Sequence, residues 1–490
     1  MSDRLDLLLI NPGGRNQAYQ ALAGEFAAVE PPVWAGLLAT NARNAGFRVA
    51  ILDAEAEGLG PEEVARRVAE ARPRLAMTVV FGANPSASTQ KMPAAGAICA
   101  AVRNAAPDVK QMLGGLHVSA LPERTLREEA ADFVCQGEGP RTIQPLLRAL
   151  RAGSEDLAAI PGLWHRRDGR IVFNGAAPLI EDLDAELPGV AWDLLPMDRY
   201  RAHNWHCFGR LHERSPYAVI YTSLGCPFRC HFCCINALFG ESGIRYRSIG
   251  QVVEEIDLLV NRWHVRTIKI LDELFVLKRD RIEQFCDALI ERNYDLNMWA
   301  YARVDTVTPE LLKKLRRAGM RWLAYGFESA SANVRDGVEK GVTAEKVENA
   351  IRWTKEAGIH IIANYIVGLP DDDAETMRQT LDEAYRHNFE YLNLYCAMAY
   401  PGSRLYQDAL NARLRLPDTW GAYAQLSPDT QPLPTKHLSA AEVLRFRDEA
   451  FRAYHSNPRY LQMLEEKFGR PTVVHVKKML EQPIRRNLYS

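Results

Sequence analysis

The chain has 490 residues, too many for one ordinary hydrophobic core, so two or three domains are expected. Hydrophobic residues make up 47% and charged residues 25%, and the net charge of −1 gives no electrostatic basis for a nucleic-acid or anionic-membrane partner. No run of about 18 apolar residues is present, so no integral membrane segment is expected. The short apolar run Leu5–Ile10 stops at Asn11-Pro12-Gly13-Gly14, unlike a signal peptide. The chain reads as cytoplasmic, and there its nine cysteines are not expected to form structural disulfides.

Residues 1–150 alternate apolar strand-like runs (5–10, 47–52, 75–81, 110–114 and 132–135) with helical patterns. This predicts an α/β domain with a Rossmann-like parallel sheet covered on both faces. Ligands of such sheets bind beyond the carboxyl ends of the strands. Those ends are rich in glycine and polar residues here, as at Asn11–Gly14, Asp53–Gly58 and Gly137–Gly139. Residues 151–215 read as a connector with a hairpin at Asp168-Gly169, a pair suited to a type I′ turn. Its Trp-, His- and Arg-rich second half is either a packed linker or the roof of a site.

Residues 216–410 alternate again, with strands at 218–223, 267–271, 297–303, 321–326, 360–367 and 391–398. Val252, Ile256, Leu259, Val260 and Trp263 line one face at helical spacing. Six βα units predict a partial parallel barrel with its site at the carboxyl ends of the strands. Residues 411–490 lose the alternation, carry helical patterns at 439–455 and 459–468, and read as a mainly helical extension with a solvated tail.

The segment after the first barrel strand holds Cys226-x3-Cys230-x2-Cys233, with Cys234 following at once. Zinc calls for four ligands, commonly in two pairs, and no second C-x2-C or H-x3-H pair exists. Three thiolates on one loop suit a 4Fe-4S cube with one iron left open. Cys234 reads as a buried neighbour, and the scattered Cys99, Cys135, Cys207, Cys286 and Cys396 as small core residues.

With Phe232 in the Cys-x3-Cys-x-aromatic-Cys pattern, the barrel region resembles the radical S-adenosylmethionine (SAM) enzymes. The resemblance implies that the open iron binds SAM and that an electron from the cluster makes a 5′-deoxyadenosyl radical. It also implies roles for the other strand ends. Asp272 and Glu273 occupy the place of the motif holding the SAM amino group, although the commonest Gly-Gly-Glu form is absent. Arg303 is the implied partner of the SAM carboxylate, Glu328 of the ribose, and Gly368 of the adenine. Trp205, His206 and Tyr221 are either pocket residues or core.

A parallel domain ahead of such a barrel resembles the cobalamin-binding domain of class B radical SAM enzymes. The landmarks are Gly114-Gly115-Leu116-His117 and Gly137-Glu138-Gly139. The run Asp53-Ala54-Glu55-Ala56-Glu57-Gly58 keeps the frame of the Asp-x-His-x-x-Gly cobalamin motif but has Glu55 where the cobalt-ligating His stands. The resemblance therefore implies cobalamin bound without a His ligand, with His117 near the cofactor tail. The rival reading is a scaffold domain that has lost the cofactor.

The family likeness covers roughly residues 1–410. It implies C-methylation of a small molecule by methylcobalamin and SAM, fed by a reductant such as flavodoxin or ferredoxin. Rivals are a cyclase, oxidase or rearrangement enzyme with the same cofactors, a methylthiotransferase, and a non-catalytic cobalamin or redox sensor.

Overall fold

The computed structural model describes residues 4–489. Strands β1 (Leu7–Asn11), β2 (Val49–Asp53), β3 (Leu75–Val80), β4 (Lys110–Gly115) and β5 (Phe133–Cys135) pair in parallel in the order β2-β1-β3-β4-β5. Every residue of β1 and β3 is buried. Helices cover both faces of a parallel sheet, so these strands are apolar throughout rather than alternating. The chain leaves β1 toward one edge and β3 toward the other. The loops beyond their carboxyl ends splay apart there and open a crevice.

The hairpin expected in the connector belongs to the first sheet. Its strands β6 (Leu163–Arg167) and β7 (Arg170–Phe173) extend that sheet because β6 pairs antiparallel with β5. Asp168 and Gly169 have φ of 51° and 74°, the two left-handed residues that a type I′ turn requires.

The second sheet contains β8 (Tyr217–Ile220), β11 (Thr267–Ile270), β12 (Asn297–Ala302), β13 (Met320–Glu328), β14 (His360–Val367) and β15 (Tyr391–Cys396). The short antiparallel pair β9 (Ser223–Leu224) and β10 (Arg245–Tyr246) sits beside it. The order β15-β14-β13-β12-β11-β8, parallel throughout, is an open six-stranded barrel.

Trp205 and His206 do not reach a pocket. They plug the amino-terminal end of the barrel. Trp205 packs 5.2 Å from Trp299, 5.8 Å from Trp322 and 5.7 Å from Tyr391, ring centre to ring centre. His206 Nε2 lies 3.0 Å from the carbonyl of Asn297, at the start of β12. The packed-linker reading holds for this segment.

The carboxyl-terminal tail is not a solvated appendage. Helix Ala440–Ser456 lies against β15, and Arg447 Nε donates to the Leu394 carbonyl at 2.8 Å. Phe468 stacks on Trp322. Arg486 is buried and forked onto Asp448, with Nε 2.7 Å from Oδ2 and Nη2 2.8 Å from Oδ1. An open barrel has a free edge and an apolar outer wall, and these helices cover both.

Three buried histidines and the half-buried His203 make the fold acid-labile. Burial pushes His117 and His206 down to about 3, and His203 and His455 down to about 4, from an ordinary 6.5. The unfolded chain takes up protons below pH 6.5, whereas the folded chain does not until pH 4 to 3. Their stabilising effect is thus complete above pH 6.5 and lost as pH falls toward 3, at about 1.4 kcal/mol per pH unit for each histidine. The melting temperature should fall steeply between pH 6.5 and 5, and a flat profile there would contradict the assignment.

Candidate active site

The cysteine loop begins where β9 ends. Gly225 has φ 93°, and a Cβ there would lie 2.5 Å from the Gly243 carbonyl. Gly243 in turn donates its N–H to the Cys226 carbonyl at 3.1 Å, which ties the loop to its returning arm. Cys226, Cys230 and Cys233 are partly exposed, while the other six cysteines are buried. Burial raises all three thiols, so assembling a metal–thiolate centre releases protons.

Among the described residues, no group of three or more His, Cys, Asp or Glu side chains is gathered tightly enough for a single metal ion. Thiolates on separate corners of a cube stand farther apart than ligands of one ion. Three partly exposed thiolates on one loop suit an iron–sulfur cube with one corner left open. Cys234 is buried, its thiol pushed up to about 12, and it faces Ser86 of the first domain.

Around the loop, the predicted rim residues divide into two groups. Asp272 accepts from the Thr222 N–H, the Thr222 hydroxyl and the Ser223 hydroxyl, each at 2.6 Å. It locks the end of β8 and is not free to take an amino group. Its neighbour Glu273 accepts only from the Gly225 N–H at 3.2 Å, faces Cys226, and is pushed up to about 8 by burial.

Arg303 is forked onto Asp305 at 3.0 and 3.1 Å and stacks 3.9 Å over Phe228, facing Cys226 and Cys230. Glu328 sits at a register break in β13 with φ 65°, strain that a non-glycine residue rarely carries. Its Oε1 meets Lys340 Nζ at 2.6 Å, and both side chains face Cys230. Gly326 leaves the space for this pair, since a Cβ there would lie 2.4 Å from Glu328 Oε1.

Lys340 was not singled out from the sequence. A lone lysine in Gly337–Gly341 carries no signal until the bulge of β13 brings Glu328 to it. Phe232 packs against the cluster of Val334, Val338 and Leu369. Gly368 serves packing as well as its turn: φ is 79°, and a Cβ would lie 2.4 Å from Val443 of the carboxyl-terminal helix. Tyr221 is buried at the end of β8, edge-on to Trp34 of the first domain.

The first domain presents a cavity at the β1/β3 crevice. It is lined by Asn11, Gly13, Gly14 and Arg15 after β1, Glu55 after β2, Phe81–Ala83 after β3, and Lys91. Leu271 of the barrel and His203 of the connector close it from the other side.

Asp53 accepts from Asn11 Nδ2 at 2.7 Å, from the Ala56 N–H at 3.1 Å and from the Tyr200 hydroxyl at 2.8 Å, so it caps the turn that carries Glu55. Glu55 accepts from the Arg15 N–H at 3.2 Å and its Oε1 pairs with Arg15 Nε at 3.3 Å, while Arg15 Nη1 is buried without a hydrogen-bond partner. An unpartnered guanidinium nitrogen at a cavity wall fits an amide-bearing cofactor such as cobalamin. Gly13 leaves the wall open, with Glu55 Oε2 at 3.9 Å the nearest atom to an added Cβ.

The other landmarks of the first domain do not line this cavity. Gly115 has φ 127°, and a Cβ would lie 2.2 Å from the Val80 carbonyl, so the glycine serves the packing of β4 on β3 rather than the approach of a cofactor. Gly114 is likewise filled by Met77 Cε, 2.3 Å from an added Cβ. Gly115→Ala should destabilise the protein by about 3 kcal/mol. A variant as stable as the parent in urea unfolding would refute that packing role.

His117 is buried edge-on against Trp420, 4.6 Å between ring centres, and bonds the Thr89 hydroxyl at 3.0 Å. Gly137 donates to Ser119 Oγ at 3.0 Å. Glu138 is committed to an ion pair. It is buried and forked by Arg245 at 2.8 and 3.0 Å, joining the first domain to the strand beside the cysteine loop.

A B12 binding domain model matches residues 19–147, and a Radical SAM superfamily model matches residues 220–384. An uncharacterized methyltransferase of Pyrococcus horikoshii is 29% identical over 88% of this chain and 89% of its own length. The anaerobic magnesium-protoporphyrin IX monomethyl ester cyclase of Rubrivivax gelatinosus is 28% identical over 82% of this chain and 69% of its own. The fold is shared with the radical SAM methyltransferase TsrM of Kitasatospora setae, solved with cobalamin and a 4Fe-4S cluster bound. The TM-score is 0.69 at 18% identity, over 93% of this chain and 90% of that one. The chain thus joins a B12 binding domain to a radical SAM domain, the two parts of the cobalamin-dependent radical SAM enzymes, and is similar to a methyltransferase and a cyclase.

Proposed function

We propose that the enzyme methylates an unactivated carbon of a small molecule. The observation that carries this reading is that both domains wall one cavity, with the strand ends of the first sheet on one side and Leu271, just after β11, on the other. When bound, the cluster and SAM supply a hydrogen-abstracting radical, and cobalamin supplies a methyl group. Cys226, Cys230 and Cys233 are the cluster ligands in this reading, and Glu273, Arg303 and Lys340 hold SAM beside them. Arg15, paired with Glu55 through Nε, offers its unpartnered Nη1 to the cobalamin periphery, and Glu55 leaves the cobalt without an imidazole. The tryptophan plug below and the first domain above keep water from the radical. A reductant of the flavodoxin or ferredoxin kind completes the cycle.

The cyclase relative favours a second reading, radical chemistry without methyl transfer. Product analysis separates the two. With SAM and a low-potential reductant under anaerobic conditions, a methyltransferase yields S-adenosylhomocysteine together with 5′-deoxyadenosine. Formation of 5′-deoxyadenosine alone in the cobalamin-loaded, turning-over enzyme would favour the cyclase reading.

A further inference from the structure

We propose that the space inside the barrel wall takes a flat, uncharged substrate or the flat, uncharged part of one, anchoring an N–H or O–H group of that molecule on the side-chain oxygen of Asn393. This rests on the methyltransferase reading and adds the chemical class of its substrate.

Side chains alternate along each strand, and Tyr301, Gly326, Asn364, Ile366, Asn393 and Tyr395 are half-buried where their strand neighbours are buried. The plug of Trp205, Trp299, Trp322 and Tyr391 closes the barrel beneath them. Their exposure therefore opens onto the space within the wall. Register sets Gly326, Asn364 and Asn393 side by side, with Ile366 and Tyr395 paired one step nearer the mouth.

The two asparagines have only one consistent orientation. The Tyr325 carbonyl can only accept, so Asn364 must offer it Nδ2, at 3.1 Å. Asn364 Oδ1 then faces Asn393, which must donate Nδ2, at 2.9 Å. Asn393 Oδ1 is left as an acceptor with no protein donor among the described residues. The hydroxyls of Tyr301 and Tyr395 likewise lack a protein hydrogen bond there. These two rings, with Tyr19 of the first domain facing them, supply flat apolar surfaces.

Charge is absent from this wall in a usable form. Lys269 is held by Glu30 at 3.0 and 3.1 Å and by the Ala83 carbonyl at 2.6 Å. Lys340, paired with Glu328, and Arg303, paired with Asp305, are the residues that hold SAM in the proposed function and are not left for the substrate. An anionic substrate would lose its hydration and meet no free cation.

The test uses holoprotein loaded with cluster, cobalamin and SAM, without reductant, and two matched probe pairs read by equilibrium dialysis. Indole-3-acetamide should bind about tenfold more tightly than indole-3-acetate, and indole about tenfold more tightly than 1-methylindole. Asn393→Leu should erase the preference for indole over 1-methylindole, and Ile366→Trp should weaken all four probes by filling the space. Equal binding within either pair, an unchanged preference in Asn393→Leu, or no binding of indole at about 10 mM would overturn the proposal. Reductive SAM cleavage is then measured on the same preparations after a low-potential reductant is added. Its loss would count against the proposed function, whereas its retention without probe selectivity would count against the substrate class alone.

Discussion

Replacing Cys226, Cys230 and Cys233 together with alanine removes about four irons and four sulfides from anaerobically reconstituted protein and abolishes 5′-deoxyadenosine formation. The remaining six cysteines are buried. The fold should survive. The three side chains are partly exposed on a loop pinned by Gly225 and Gly243, so melting temperatures of the metal-free forms should agree within a few degrees. A triple variant that kept its iron would refute the ligand assignment.

The largest expected effect on stability lies at the domain junction. Lys269 Nζ, 3% exposed, reaches from inside the barrel to Glu30 and the Ala83 carbonyl of the first domain. Lys269→Met leaves Glu30 with only the distant Tyr217 hydroxyl, 3.4 Å away, and takes the Lys269 donor from the Ala83 carbonyl, at a cost of about 3–5 kcal/mol. Glu30→Gln combined with Lys269→Met removes the stranded charge, so the double variant should recover much of the loss. Urea unfolding of the four proteins decides the matter. A single variant within about 1 kcal/mol of the parent would show that the pair is not buried as described.

The strands were legible because both sheets are parallel and covered, which leaves apolar runs such as Leu7–Ile10 with no other reading. The cysteine loop was legible because its spacing is local. What the sequence hid is long-range. Glu138 in a Gly-Glu-Gly turn reads as a cofactor contact, yet its partner Arg245 is 107 residues away. Trp205 and His206 are close in sequence to the cysteines, but β8 runs the height of the barrel between them and puts them at opposite ends. Trp420 and Val443 belong to an extension with no sequence alternation, yet they pack on His117 and Gly368. The Gly-Gly turn at Gly114-Gly115 marks close approach, as glycine pairs do, but the approach is that of Met77 and Val80.

The division of labour between the two domains is tested most directly at Gly13. Its backbone does not require glycine, and the nearest atom to an added Cβ is Glu55 Oε2 at 3.9 Å, across the cavity at the β1/β3 crevice. Gly13→Trp should fold, bind no cobalamin by its visible absorption, and still cleave SAM reductively to 5′-deoxyadenosine. It should form no S-adenosylhomocysteine. A folded, cobalamin-free Gly13→Trp protein that produced S-adenosylhomocysteine at the parental rate would contradict methyl transfer through this site and leave the first domain as scaffold.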